Sequence, residues 1–93
     1  MKWIKIQQKP IEMKAFQLTE SMLSSGELND EPRIEGKLIG TMPIFFINTL
    51  TGKVRARVGD WIIESPQGDI YPCTEKDFNV MFDYTLKYKI LFK

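Results

Sequence analysis

Lys53, Arg55 and Arg57 stand at every second position of one short stretch, with Val54, Ala56 and Val58 alternating between and after them. On a β-strand that spacing sends all three cations to one side at intervals of about 6–7 Å, a row suited to phosphates or to an acidic partner. No acidic residue interrupts the row, although a solvated sheet face accounts for it more simply. Asp60 and Asp69 each follow a glycine and each opens an apolar run. Brought together, two carboxylates share a proton or hold a cation; kept apart, they bond nearby turn amides. Trp61 and Tyr71 offer aromatic faces to a ligand or, given their apolar neighbours, to a core. Cys73 lies just before a helix start at Thr74, where the helix dipole would favour a thiolate; a small buried thiol is the other reading.

The chemistry that these residues lack is as informative. The chain has 93 residues, one cysteine and no histidine. An internal disulfide framework and a Cys/His zinc site are therefore excluded, and Cys73 has no imidazole base to make it a nucleophile. Glycine-rich phosphate loops and metal-ligand spacings are missing too, so neither an enzyme nor a cofactor is expected. With 13 Lys plus Arg against 12 Asp plus Glu, the net charge is +1, which argues against general nucleic-acid binding but permits a local basic face. A 43% hydrophobic and 12% aromatic composition belongs to a folded chain of one domain. No apolar run approaches the ~20 residues that span a bilayer, and the N-terminus alternates without a signal-peptide core. The expected location is a reducing cytoplasm, away from membranes.

Positioning these groups falls to short strands. Val58 to Glu64 and Gly68 to Cys73 flank the turn Ser65-Pro66-Gln67-Gly68 and read as a fixed hairpin around Trp61. Upstream, Met1 to Gln8 reads as an edge strand or as an arm over residues 1–10 that orders on a partner. Ile11 to Leu18 alternates, with Ile11, Met13 and Ala15 on one face and Phe16 and Leu18 on the other, so both faces are covered near its end. Thr19 is placed to cap a short helix that Gly26 stops. Arg33 to Ile39 is a weak strand. Thr74 and Asp77 have capping-box spacing ahead of a helix that shows Phe78, Met81 and Phe82 on one face. Residues 85–93 extend a final strand whose apolar face is Leu86, Tyr88, Ile90 and Phe92.

Ile44 to Val58 is the strongest hairpin. Its portion Ile44 to Val54 resembles the first hairpin of ubiquitin, and what the two share is turn chemistry, with Gly52 at a left-handed angle. A bulged turn pairs Ile44, Phe46 and Asn48 with Val58, Ala56 and Val54; a two-residue turn sets Phe45, Ile47 and Thr49 opposite those three instead. The expected fold is a single α+β domain: a curved antiparallel sheet of about five or six strands with two short helices. Its expected core is Phe16, Leu18, Phe46, Val54, Ala56, Val58, Trp61, Ile63, Tyr71, Phe78, Phe82 and Tyr84.

Lys14-Ala15-Phe16-Gln17-Leu18-Thr19, Thr49-Leu50-Thr51-Gly52, Gly59-Asp60-Trp61-Ile62-Ile63 and Gly68-Asp69-Ile70-Tyr71-Pro72-Cys73, with Phe78 and Tyr84 behind them, resemble a family of small phage and prophage proteins. The resemblance spans residues 11 to 84 and implies an accessory product in a bacterial host cell, with no activity attached. The expected role is a non-enzymatic module that binds a host or phage protein. A nucleic-acid or nucleotide binder using the basic row is the alternative. Self-association through Trp3 to Ile6 and Leu86 to Phe92 is a further expectation.

Overall fold

Met13 and Ala15 are buried on one side of their strand, Phe16 and Leu18 on the other. A strand buried on both faces must lie inside a layered structure, and every other element follows from that. The computed structural model describes residues 1–8 and 11–81. The strands are β1 (Ile4–Gln8), β2 (Ile11–Gln17), β3 (Ile34–Ile39), β4 (Met42–Thr49), β5 (Gly52–Arg57), β6 (Trp61–Glu64) and β7 (Ile70–Cys73); α1 (Glu75–Met81) follows them. They form two antiparallel sheets, one ordered β1-β2-β6-β7 and the other β3-β4-β5.

The four-stranded sheet is the middle layer. Phe16, Leu18, Ile62 and Ile70 on one face meet Ile34, Phe45, Ile47 and Ala56 of the three-stranded sheet, with Met22 closing the end. On the opposite face Ile6, Met13, Ala15, Trp61 and Ile63 gather around Phe78 of α1. Trp61 and Phe78 stack with ring centroids 4.0 Å apart and planes 3° from parallel. The seven described residues of α1 are too few to persist alone, and this contact packs them against the sheet. Thr74 caps the helix as its spacing implies, accepting from the Asp77 amide at 3.2 Å.

Two sheets replace the single sheet of five or six strands. The reason lies between β2 and β6. Residues 19–58 leave the four-stranded sheet and return beside their point of departure, where Leu18 N–H donates to Asp60 O at 2.8 Å and Gly59 N–H to Leu18 O at 2.9 Å. The excursion folds as its own meander. Among the described residues α1 is the only α-helix. The segment Glu20–Leu23 is 3-10, because the Thr19 hydroxyl pairs with Ser21 Oγ and leaves the helix start uncapped. The stretch ends at Leu23 with Ser24 as its cap, earlier than the expected stop at Gly26, which takes φ +83° in the loop that follows.

The β4–β5 register is neither of the two expected ones. Phe45 faces Ala56, Ile47 faces Val54 and Thr49 faces Gly52. The reversal occupies Leu50 and Thr51, earlier than either alternative allowed, because Thr49 Oγ1 accepts from Thr51 N–H and donates to Gly52 O at 2.7 Å. Gly52 then enters β5 at φ +123°, the left-handed angle that its glycine was expected to supply. This register turns Phe45 and Ile47 inward and leaves Phe46 half-buried on the outer face. Val58 also leaves the expected core at 45% exposure, since β5 ends at Arg57 and the chain turns away. Met81 is exposed as well, and Val54 and Tyr71 are half-buried.

The N-terminal stretch is a strand and, among the described residues, stands at the sheet edge, with Ile4 opposite Ala15 and Ile6 opposite Met13; Trp3 packs edge-on against Phe16 at 4.6 Å. Phe82, Tyr84 and the expected strand with Leu86 to Phe92 lie outside the described residues, as does that half of the expected self-association. Among the described residues no helix is long and apolar enough to cross a membrane.

One polar network ties the layers together. Glu31 is buried at 4% exposure and holds Arg33, whose Nη1 donates to Gly68 O at 2.6 Å and whose Nη2 donates to Glu64 Oε2 at 3.2 Å. Lys14 reaches the other Glu64 oxygen at 3.4 Å. The entry to β3 is thereby fixed to the β6–β7 turn of the other sheet.

Candidate interaction surface

Among the described residues no layer covers the outer face of β3-β4-β5, and its side chains follow from the register. Lys37, Ile44 and Arg57 form one row across the three strands; Glu35, Phe46 and Arg55 form the next, and Asn48 sits opposite Lys53 in the last. Lys53, Arg55 and Arg57 are all exposed along β5, as their alternation implies. Lys37, which sequence reading passed over, joins them from β3. Its Nζ lies 5.1 Å from the centroid of the Phe46 ring, a cation-π contact. Ile44 is nearly inaccessible on this outward face, as expected where the alkyl stems of Lys37 and Arg57 flank it in register. None of these four cations forms an ion pair with a carboxylate of the described residues.

Asp60, Trp61 and Tyr71 do not join that surface. Asp60 Oδ2 accepts from the Arg57 amide at 3.0 Å and so acts as a turn residue where β5 ends. Trp61 is buried in the other core, between the four-stranded sheet and α1, and Tyr71 is half-buried at the edge of the same cluster. Burial, then the neighbouring Cys73, raises the Tyr71 hydroxyl above its ordinary pKa.

Asp60 and Asp69 are not a carboxylate pair. β6 and β7 run antiparallel, with Trp61 opposite Cys73 and Glu64 opposite Ile70, so residues that open the two strands stand at opposite ends of the hairpin. Asp69 closes the turn through its main chain, its carbonyl accepting from Ser65 N–H at 2.9 Å. Among the described residues no group of three His, Cys, Asp or Glu side chains is placed to hold a metal ion. Cys73 departs from the activated thiol that its position suggested. Burial, then the charges of Asp77 and Asp60, push its pKa above the ordinary value, which outweighs any help from one short helix.

No family model, curated protein or solved structure matches this chain. The surface must therefore be interpreted from its own chemistry. The missed members, Lys37 and Phe46, had a signal in Gly40: with Gly40 as the reversal between two paired strands, Lys37 falls on the same side as Phe46 and Arg55. Gly40 does adopt φ +66° in that turn.

Proposed function

We propose that this protein is a non-enzymatic protein-interaction module that works through the outer face of β3-β4-β5 and recognises an acidic partner. The observation that carries the reading is the set Lys37, Lys53, Arg55 and Arg57: four cations around Phe46 on one sheet face that, among the described residues, has neither a covering layer nor a pairing carboxylate. Unpaired like charges repel one another, and an acidic surface relieves that repulsion while steering its own approach. An aromatic ring with arginines beside it is also the composition favoured at interface centres. The raised Cys73 pKa and the separation of Asp60 from Asp69 support a role without catalysis. The resemblance to small phage and prophage proteins extends the proposal to an accessory product acting on a host or phage factor in the bacterial cytoplasm.

Phe46 beside Arg55 also suits a stacked base, so single-stranded nucleic acid is the second reading. Affinity capture from nuclease-treated and untreated bacterial lysate separates the two, with wild type and the double variant Arg55→Gln/Arg57→Gln as baits. A protein that survives nuclease treatment and is lost by the variant is the expected result. Capture that disappears with nuclease, or that the variant leaves unchanged, would overturn the proposal.

A further inference from the structure

Among the described residues β5 is an edge strand, paired with β4 on one side only. The direction of its free main-chain groups can be read at Arg57. There the Asp60 carboxylate accepts from Arg57 N–H at 3.0 Å, and Asp60 N–H donates to Arg57 O at 3.0 Å. Arg57 therefore turns its amide and carbonyl away from β4. Main-chain direction alternates along an antiparallel strand, so Arg55 and Lys53 present theirs to the same open side. Asp60 closes this edge at one end, and the groups of Lys53 and Arg55 meet no main-chain partner among the described residues. The side chains at those positions are the cations of the outer face.

The opposite side of the strand is apolar. A hollow of about 300 Å³ adjoins Val54, lined also by Leu50, Ile70 and Pro72. Leu50 is 81% exposed at the hairpin tip, an apolar side chain without internal cover. An added strand would meet these features at a period of two. Residues directly opposite Lys53 and Arg55 would share the basic face, while those between would point toward the hollow.

We propose that the free edge of β5 takes up an extended segment of a partner protein as a fourth strand, in which Asp or Glu alternates with aliphatic residues. This rests on the interaction-module reading and deepens it by naming the partner's chemistry. The main chain of Lys53 and Arg55 supplies hydrogen bonds, the cations select acids on one side, and the hollow selects aliphatic side chains on the other. Charge complementarity chooses this occupant over a second copy of the chain, because a copy would bring its own β5 cations to the same row.

The probe is a short synthetic peptide of alternating Glu and Val carrying a fluorophore, titrated with the full chain and followed by anisotropy. Four further probes complete the set: the same peptide with N-methyl groups on the amides facing β5, a Glu/Ser version, a Lys/Val version, and oligo-dT. The Glu/Val peptide is expected to bind, with affinity falling about tenfold or more on N-methylation, since each lost hydrogen bond is worth roughly a decade. Ser for Val should weaken it further. The exposed-site variant Lys53→Glu/Arg55→Glu should lose the Glu/Val peptide and gain a Lys/Val one, which shows that the variant is folded. Equal binding of the N-methylated and parent peptides overturns strand addition but leaves the acidic-partner module standing. Salt-sensitive binding of oligo-dT with no peptide bound overturns both. Sedimentation that shows self-association abolished by Lys53→Glu/Arg55→Glu would assign the edge to a second copy and overturn the inference as well.

Discussion

Arg33 grips the Glu31 carboxylate at both oxygens, Nε to Oε2 at 2.6 Å and Nη2 to Oε1 at 2.8 Å. The carboxylate is buried while the guanidinium keeps 35% of its side chain exposed. Paired forks of this kind are the strong form of the ion pair, and the hydrogen bonds that Arg33 donates to Glu31 hold it still more firmly in its charged state. Arg33→Ala leaves Glu31 buried without its cation. The expected loss is about 2–3 kcal/mol in urea unfolding, below the figure for a fully buried pair because Arg33 is partly solvated. Replacing the pair together, Glu31→Leu with Arg33→Met, should recover most of it; a double variant as unstable as Arg33→Ala would contradict this account.

Phe78→Ala removes the ring stacked on Trp61 at a site with no solvent exposure. A loss of about 3–5 kcal/mol is expected from the vacated volume. Loss of α1 should accompany it, visible as red-shifted Trp61 emission in a Trp3→Phe background. A change under about 1 kcal/mol with unshifted emission would show that α1 does not depend on this contact.

Two glycines should fail for different reasons. A methyl group at Gly36 would stand 2.9 Å from Leu23 Cδ2 and 2.9 Å from Phe45 Cε1, whereas one at Gly52 meets nothing within 4 Å. Gly36→Ala is expected to cost about 1–3 kcal/mol through crowding. Gly52→Ala should cost about 1–2 kcal/mol through its left-handed backbone alone. Adding Leu23→Ala should lessen the penalty at Gly36 and leave that at Gly52 unchanged. Thermal melts of the four variants decide the matter.

Cys73 should alkylate slowly. Its pKa stands above the ordinary 9.0 through burial, then through Asp77 and Asp60, so thiolate is scarcer at pH 8 than in an unfolded chain. The sign for stability follows: the folded state holds this proton more tightly, so the contribution is complete below pH 9.0 and is lost as pH rises through the folded value. Asp77→Asn removes one of the charges and should speed iodoacetamide labelling at pH 8. Unchanged or slower labelling would remove Asp77 as a cause.

How far the sequence carried these conclusions depends on the range over which each signal acts. Period-two alternation located β2 with both of its faces, and the Thr74 cap and the β6–β7 hairpin were equally local. The β4–β5 register escaped because residues 44–47 are all apolar and permit several slips; the Thr49 hydroxyl, which settles it, acts through turn geometry that composition does not reveal. Splitting into two sheets depends on bonds between Leu18 and the pair Gly59 and Asp60, beyond any local pattern. The Glu31–Arg33–Glu64 network was missed for the same reason. At the candidate surface, alternation found Lys53, Arg55 and Arg57, whereas Asp60, Trp61 and Tyr71 were grouped with them by proximity in sequence. The antiparallel course of β6 and β7 and the covering helix place those three elsewhere.

Return of the chain to Leu18 after the meander bears on the order in which the molecule assembles. Pairings within β3-β4-β5 join near neighbours in sequence, whereas β2 and β6 must find each other across the whole intervening segment. Loop-closure entropy delays the distant pairing until the segment between has shortened itself by folding. The meander should therefore be largely formed at the rate-limiting barrier and the α1 layer should dock after it. In stopped-flow kinetics Ile47→Val is expected to slow refolding and Phe78→Leu mainly to speed unfolding. The reverse pattern would mean that the four-stranded layer nucleates the fold. On the expected order, the surface proposed to meet a partner takes shape early, and the layers behind it serve to keep it.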